Sequence, residues 1–245
     1  MVKNIDITKY IAGRYISGYR GSAERADRFL KNWEVQKKDS KKKLLKKTPS
    51  ICFSRKIGVG ALEIAVILGE KINYRVVDRE ILEHIAGKAN LSEQTAAYFD
   101  ERYHGKISEL LSFLFGEKAF MKSDYSRYLF STILSFAGLE PTIFVGRGAH
   151  LILPREEVLA VRLICSRESR LKHLQDMMKI TPTEAEKELK RIDKEQRDFF
   201  VKTYGKKDAS PYEFDLVINR DFIQDASGAA QIIATAFREK FKIFI

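Results

Sequence analysis

Apolar runs and helical patterns alternate along the chain from residue 50 to its end. Five short runs typical of buried strands lie at 51–54, 74–78, 142–146, 158–165 and 214–219. Between them, apolar residues recur at the three- and four-residue spacing of helices, as in 61–68. This alternation predicts a three-layer α/β/α fold, in which helices cover both faces of a five-stranded parallel sheet. Because ligands of such sheets bind beyond the carboxyl ends of the strands, the residues directly after each strand are the candidates for a site.

The first 48 residues differ from the rest of the chain. They contain no strand-like run, and their apolar residues recur near helical spacing before the basic stretch KKDSKKKLLKK at 37–47. The net charge of the whole chain is +11, and this segment holds 14 Lys and Arg against 5 Asp and Glu, a net of +9. We therefore predict a basic, helical extension and linker at 1–48, followed by the main domain at 49–245. The extension is either a solvated tether or a contact for a polyanion such as nucleic acid.

Several classes of protein are disfavoured by composition. The longest uncharged apolar stretches are about half of what a membrane-spanning helix needs, and the N-terminus lacks the apolar region of a secretory signal. Cys52 and Cys165 lie far apart in apolar runs, so they predict neither a disulfide framework nor a metal site. The four histidines show no metal-binding spacing. We expect a cytoplasmic protein whose metal ligands, if any, are unknown and whose oligomeric state is open.

A glycine-bearing turn leads from the first strand into the first helix of the domain. It comprises Ser54, Arg55, Lys56, Ile57, Gly58, Val59 and Gly60. Backbone N–H groups at such a helix start, together with the helix dipole, favour a bound anion. The turn therefore predicts a phosphate loop, and the alternative is a tight strand–helix turn without a ligand.

Two further strand ends carry charged residues. Asp78 and Arg79 follow the second strand, and Arg147 follows the third between Gly146 and Gly148. The flanking glycines allow close approach, and a guanidinium can hold a phosphate through two hydrogen bonds. Arg147 is thus either a phosphate-binding residue or part of a structural ion pair, for which Asp78 is a candidate partner.

A long helix is predicted from the capping-box sequence at 181–184 to about Tyr204. Lys187, Arg191, Lys194 and Arg197 form a cationic stripe along it. Such a stripe is either a solvated face or, beside a phosphate loop, a surface that closes over a polyphosphate. Asp193 lies one turn before Arg197 and is expected to hold it.

Taken together, these motifs resemble the cytidylate kinase-like family of P-loop proteins related to nucleoside monophosphate kinases. The matching runs are S-R-x-x-G-x-G, V-V-D-R-E-I-L, V-G-R-G-A, K-x-x-x-R-I-D-K-E-x-R and Y-x-F-D-L-V-I-N, in that order over about residues 50–240. The resemblance implies a five-stranded parallel core, a helical monophosphate-binding insertion at 92–138 and a lid at 182–205. It also implies ATP and Mg²⁺ as cofactors and nucleotides as ligands.

The same resemblance assigns roles to single residues. Residues 54–60 would be the phosphate loop, Asp78 and Arg79 would open the monophosphate-binding segment, and Arg147 would hold the acceptor nucleotide. Arg167 and Arg170, after the fourth strand, would lie near the adenine. Arg191 and Arg197, with Lys194, would close over the transferring group as lid residues.

The phosphate loop departs from the full Walker pattern, because Ala61 occupies the lysine position and Glu63 the Ser/Thr position. We expect Arg55, rather than Lys56, to offset the charge of the donor polyphosphate. The leading hypothesis is phosphoryl transfer from ATP to a nucleoside monophosphate, with CMP or dCMP favoured. The alternatives are a nucleotide-binding sensor without turnover and an interaction protein that docks on a polyanion through residues 1–48.

Overall fold

A computed structural model of the chain describes residues 48–79, 82 and 124–243. Five strands form one sheet in the order β2-β3-β1-β4-β5, and every neighbouring pair is parallel. The strands are β1 Ser50–Arg55, β2 Arg75–Asp78, β3 Thr142–Val145, β4 Val158–Ile164 and β5 Leu216–Asn219. The predicted α/β fold with a five-stranded parallel sheet is confirmed. The predicted extension, apart from Thr48, and most of the predicted insertion lie outside the described residues.

The helices of the described part follow the strands as the sequence pattern indicates. They are α1 Ala61–Ile72, α2 Asp124–Leu139, α3 Arg167–Met178, α4 Pro182–Tyr204 and α5 Ala226–Phe241. Helix α4 begins with the predicted capping box, in which Thr181 and Glu184 bond each other's backbone N–H groups, and it ends at Gly205. Among the described helices, none combines the length and apolar character required to cross a membrane.

Apolar side chains cover both faces of the sheet, as expected for buried parallel strands. On one face, Ile51, Phe53 and Val161 pack with α1 and α5 in a single cluster. On the other face, Cys52 and Phe144 pack with apolar residues of α2, and Phe199 and Tyr204 of α4 lie against the same cluster. Burial raises the pKa of the Cys52 thiol, so this cysteine is a core residue rather than a reactive one.

Helix α4 bridges two parts of the molecule. Its first half contributes Ala185 and Leu189 to a small cluster with Ile57 of the glycine turn and Leu174 of α3. Its second half brings aromatic side chains to the carboxyl ends of the strands. The helix therefore lies across the edge of the sheet at which the sequence predicts a site.

Candidate active site

A pocket opens where the carboxyl ends of β1, β2 and β3 meet. The described residues that line it are Ser54, Arg55, Arg79, Gly146, Arg147, Gly148, Gln196 and Phe200. They include three arginines and no aspartate or glutamate. Each arginine lies at the end of, or just after, a different one of these three strands. The structure thus brings together Ser54, Arg55, Arg79 and Arg147, which were predicted from separate parts of the sequence. Such a lining suits an anionic ligand.

The backbone around Arg147 is unusual, because three consecutive residues have positive φ angles. These are 94° for Gly146, 53° for Arg147 and 69° for Gly148. A Cβ atom at Gly148 would lie 2.7 Å from the ring of Tyr204, whereas a Cβ at Gly146 would meet nothing within 4 Å. Gly148 therefore permits close packing against the protein, and Gly146 leaves the pocket side of the turn open to a ligand.

Two aromatic residues of α4 hold Arg147 in the pocket, one through its guanidinium and one through its backbone. The Cζ of Arg147 lies 4.0 Å from the centre of the Phe199 ring, which is the distance of a cation–π contact. The Tyr204 hydroxyl donates a 2.6 Å hydrogen bond to the Arg147 carbonyl. Burial, and then the positive charges of Arg79 and Arg55, lower the pKa of Arg147 to about 9. A bound anion would relieve this repulsion.

Two polar contacts position the end of β1. The Ser54 hydroxyl is buried and accepts a 2.7 Å hydrogen bond from Nη1 of Arg162 on the neighbouring strand β4. The Gln196 amide donates a 2.7 Å hydrogen bond to the Arg55 carbonyl. Helix α4 is thereby tied to the strand that ends in the pocket. Sequence reasoning missed Gln196, Phe199, Phe200 and Tyr204, because no local pattern in α4 distinguishes them from other helix residues.

The glycine turn lies beside this pocket and leads into α1. Its Ile57 and Val59 side chains are buried, and Lys56 is exposed. Gly60 is the N-cap of α1 and provides no side-chain cap, so the first N–H groups of the helix receive no hydrogen bond from it. These groups and the helix dipole together favour an anion. That the turn binds the phosphates of a nucleotide is still a prediction.

Arg170 holds the turn in place. Its guanidinium is buried, its Nε donates a 2.7 Å hydrogen bond to the Ile57 carbonyl, and its Nη2 bonds the carboxylate of Asp193. A Cβ at Gly58 would lie 2.7 Å from the Arg170 carbonyl, so the turn also packs directly on α3. The expectation that Asp193 holds Arg197 is not what the structure shows: Asp193 pairs with Arg170, which comes from another helix. In this position Arg170 supports the loop, and an adenine contact by it is still a prediction.

The side chains of the cationic stripe of α4 are exposed, and none of them lines the described pocket. Arg191 pairs with Glu188 and Glu195 on its own helix, and the side-chain hydrogen bond to Glu188 is the main cause of its raised pKa. Lys194 and Arg197 are exposed. Arg167 is also exposed and pairs with Glu186. Helical periodicity places Phe200, which lines the pocket, on the opposite side of α4 from Arg191. None of the cationic residues named here lines the described pocket. Their roles in a lid or at the adenine stay predictions.

Asp78 is buried at the end of β2, next to the pocket residue Arg79. Within the described ranges, no group of three or more His, Cys, Asp or Glu side chains is arranged to hold a metal ion.

Comparisons with known proteins agree with the motifs. A family model described as the cytidylate kinase-like family matches residues 50–221. The solved structure of an uncharacterized protein from Eubacterium ventriosum ATCC 27560 has a TM-score of 0.60 at 19% identity, and the match covers 79% of this chain and 99% of that one. This likeness shows a shared fold.

Two shikimate kinases are more distant in structure. The enzyme from Bacteroides thetaiotaomicron has 14% identity and a TM-score of 0.40, and the match covers 80% of this chain and 99% of that one. The enzyme from Acinetobacter baumannii, solved with shikimate, has 12% identity and a TM-score of 0.40, with coverage of 78% and 94%. No curated protein sequence matches the chain.

Proposed function

The chain belongs to the cytidylate kinase-like family, and we propose that it transfers a phosphoryl group from ATP to a nucleoside monophosphate, with CMP or dCMP as the first acceptors to test. The observation that carries this proposal is the pocket in which Arg55, Arg79 and Arg147 converge beside a glycine turn at a helix start. The pocket would bind the acceptor phosphate, and the turn would bind the phosphates of the donor.

The pocket suits the phosphate of a nucleoside monophosphate for electrostatic reasons. A phosphate monoester carries close to two negative charges at neutral pH and offers three acceptor oxygens. Arginine presents a planar fork that bonds two of these oxygens at once. Because Arg147 is largely buried beside two other cations, binding of a dianion removes a repulsion that the free protein has to sustain.

The adjacency of pocket and turn suits phosphoryl transfer. In such reactions the protein mainly positions the two reacting groups and stabilises the charge of the transition state. Ser54 and Arg55 line the pocket, and the turn that follows them along the chain begins α1 at Gly60. Acceptor and donor would therefore meet at the carboxyl end of β1.

We propose Mg²⁺ as the accompanying ion, bound mainly by the donor phosphates. Magnesium in kinases is typically held by one or two carboxylates together with substrate phosphates. Glu63, in the first turn of α1, is the carboxylate nearest along the chain to the glycine turn and would be the protein ligand. The ion would neutralise phosphate charge, while Arg147 and Arg55 orient the acceptor.

A second candidate function is a nucleotide-binding sensor without turnover. The observation that favours it is Ala61, which is 4% exposed and packs in the core, so the position of a Walker lysine carries no charge. A third hypothesis is that a polyanion docks on residues 1–48. Apart from Thr48, this segment lies outside the described residues.

The test is a coupled assay with ATP, Mg²⁺ and a panel of nucleoside monophosphates. Arg147→Ala should weaken monophosphate binding by roughly 10- to 150-fold, which corresponds to about 1.5–3 kcal/mol for one charge-assisted bidentate contact. Arg238→Ala, on α5, is the matched control and should leave the binding unchanged.

Three results are informative. Turnover with one monophosphate, lost in Arg147→Ala alone, supports the kinase proposal. ATP binding without turnover of any monophosphate favours the sensor. Unchanged monophosphate affinity in Arg147→Ala assigns this arginine to a structural role.

A further inference from the structure

Three side chains from different elements meet beside Gly60, at the helix end of the glycine turn. An ideal Cβ built on Gly60 would lie 3.6 Å from Nη2 of Arg220, 3.6 Å from Oε2 of Glu63 and 3.7 Å from Cε1 of His173. Arg220 directly follows β5, Glu63 is in the first turn of α1, and His173 is in α3. The carboxyl end of β5 thus contributes a guanidinium to the turn.

The Nη2 atom of Arg220 points at the glycine turn, while its Nη1 atom is held elsewhere. Nη1 donates a 2.7 Å hydrogen bond to the Ile223 carbonyl, which fixes the side chain against the following loop. The buried Nε has no hydrogen-bond partner among the described residues. Within that part of the chain Arg220 also forms no ion pair. Its charge is therefore available to an anionic ligand.

The other groups near Gly60 do not supply a positive charge at neutral pH. Burial lowers the pKa of His173 below its usual value of 6.5, and Arg220 lowers it further, against the opposing effect of Glu63. Ala61 is buried in the core. Arg55, the cation that the sequence suggests for the donor phosphates, lines the neighbouring pocket with Arg79 and Arg147.

From this arrangement we propose that Arg220 binds the polyphosphate of the donor nucleotide at Gly60, and that Arg55 belongs to the acceptor pocket. The inference rests on the proposed function, in which the glycine turn binds the donor. Backbone N–H groups and a helix dipole supply only partial charges, so a triphosphate at this turn needs a full cation. Arg220 provides it from the far end of the sequence, in place of a lysine at position 61.

If Arg220 binds the donor phosphates, its loss should weaken ATP binding, whereas if Arg55 binds them, the loss of Arg55 should do so. We would measure the ATP affinity of the full chain by calorimetry, without an acceptor, for the wild type, Arg220→Gln, Arg220→Lys, Arg55→Ala and the control Arg238→Ala. Glutamine removes the charge but retains a donor for the Ile223 carbonyl, and lysine retains the charge.

Loss of the charge-assisted contact in Arg220→Gln should weaken ATP binding at least about 10-fold, whereas Arg220→Lys should remain within about threefold of the wild type. Arg55→Ala and Arg238→Ala should leave the ATP affinity within about threefold. The salt dependence of ATP binding should also become weaker in Arg220→Gln, because one cation fewer contacts the phosphates.

The assignment is overturned if Arg220→Gln melts at the wild-type temperature and binds ATP as the wild type does. It is also overturned if Arg55→Ala weakens ATP binding as much as Arg220→Gln. Should Arg220→Gln fail to fold, the Arg55→Ala chain decides: a loss of ATP affinity of about 10-fold or more in that variant overturns the assignment.

Failure of the proposed function gives a different pattern. A wild-type chain that binds no ATP overturns both proposals. A chain that binds ATP through Arg220 but phosphorylates no monophosphate overturns the kinase proposal alone and leaves the donor site assigned.

Discussion

The sharpest structural test of the pocket is a pair of alanine substitutions on either side of Arg147. Gly146 and Gly148 both have positive φ angles, 94° and 69°, so alanine is strained at either position. Only Gly148 adds a steric conflict, because its Cβ would lie 2.7 and 2.8 Å from ring carbons of Tyr204. We expect Gly148→Ala to destabilise the protein more than Gly146→Ala.

The expected difference follows from the two contributions. The left-handed backbone costs an alanine about 1–2 kcal/mol, and both variants bear a backbone cost of this kind because both φ angles are positive. Moving the Tyr204 ring resembles overpacking of a core, at about 1–3 kcal/mol, and it strains the 2.6 Å hydrogen bond to the Arg147 carbonyl. The free energy of unfolding should therefore be about 1–3 kcal/mol lower for Gly148→Ala than for Gly146→Ala.

Urea denaturation and thermal melting measure this difference. For a domain of this size, about 1 kcal/mol corresponds to roughly 2–4 °C in Tm. Repeating both glycine substitutions in a Tyr204→Leu background isolates the ring contact, because the smaller side chain leaves space for the new methyl group. The reasoning is refuted if the two variants have equal stability, or if their difference persists unchanged without the tyrosine ring.

Two further predictions concern buried ionisable side chains. Asp193→Ala should remove about 3 kcal/mol or more from the free energy of unfolding in urea, because it leaves the Arg170 guanidinium, 5% exposed, without its carboxylate. The control Glu188→Ala, which breaks an exposed pair with Arg191, should cost under about 1 kcal/mol, and equal losses would contradict this. Burial lowers the pKa of His150 below 6.5, with Glu213 opposing it, so the unfolded chain takes up a proton first as the pH falls. Stability should therefore decrease from pH 7 to 5, and His150→Phe should weaken that dependence; an identical pH profile in the variant would disprove it.

Much of the fold could be predicted from local patterns. Strands buried on both faces need continuous apolar runs, as at 158–164, and these runs identify all five strands of the described sheet. The boundaries differ by a few residues where a local turn competes. Phe214, for example, closes a 3₁₀ turn through its N–H bond to the Pro211 carbonyl, so β5 begins only at Leu216.

Part of the candidate site was also predictable, because strand ends in a parallel sheet share one edge. That rule placed Arg55, Arg79 and Arg147 among the candidates. Their convergence depends on strand order, however, since β3 lies between β2 and β1. The alternation of apolar and polar residues is compatible with other orders, so the sequence alone does not bring the three arginines into one pocket.

Tertiary packing decided which residues of α4 and of β5 matter. The cationic stripe was the conspicuous feature of α4. Because Ala185 and Leu189 are buried against Ile57 and Leu174, however, the residues of α4 that line the pocket are Gln196 and Phe200. Asp193 pairs with Arg170 for the same reason. Arg220 is a single arginine after a strand, and only the packing of that strand end against the glycine turn gives it a role. Local sequence therefore determined the elements and the candidate strand ends, whereas contacts between residues far apart in the sequence decided which charges share a site.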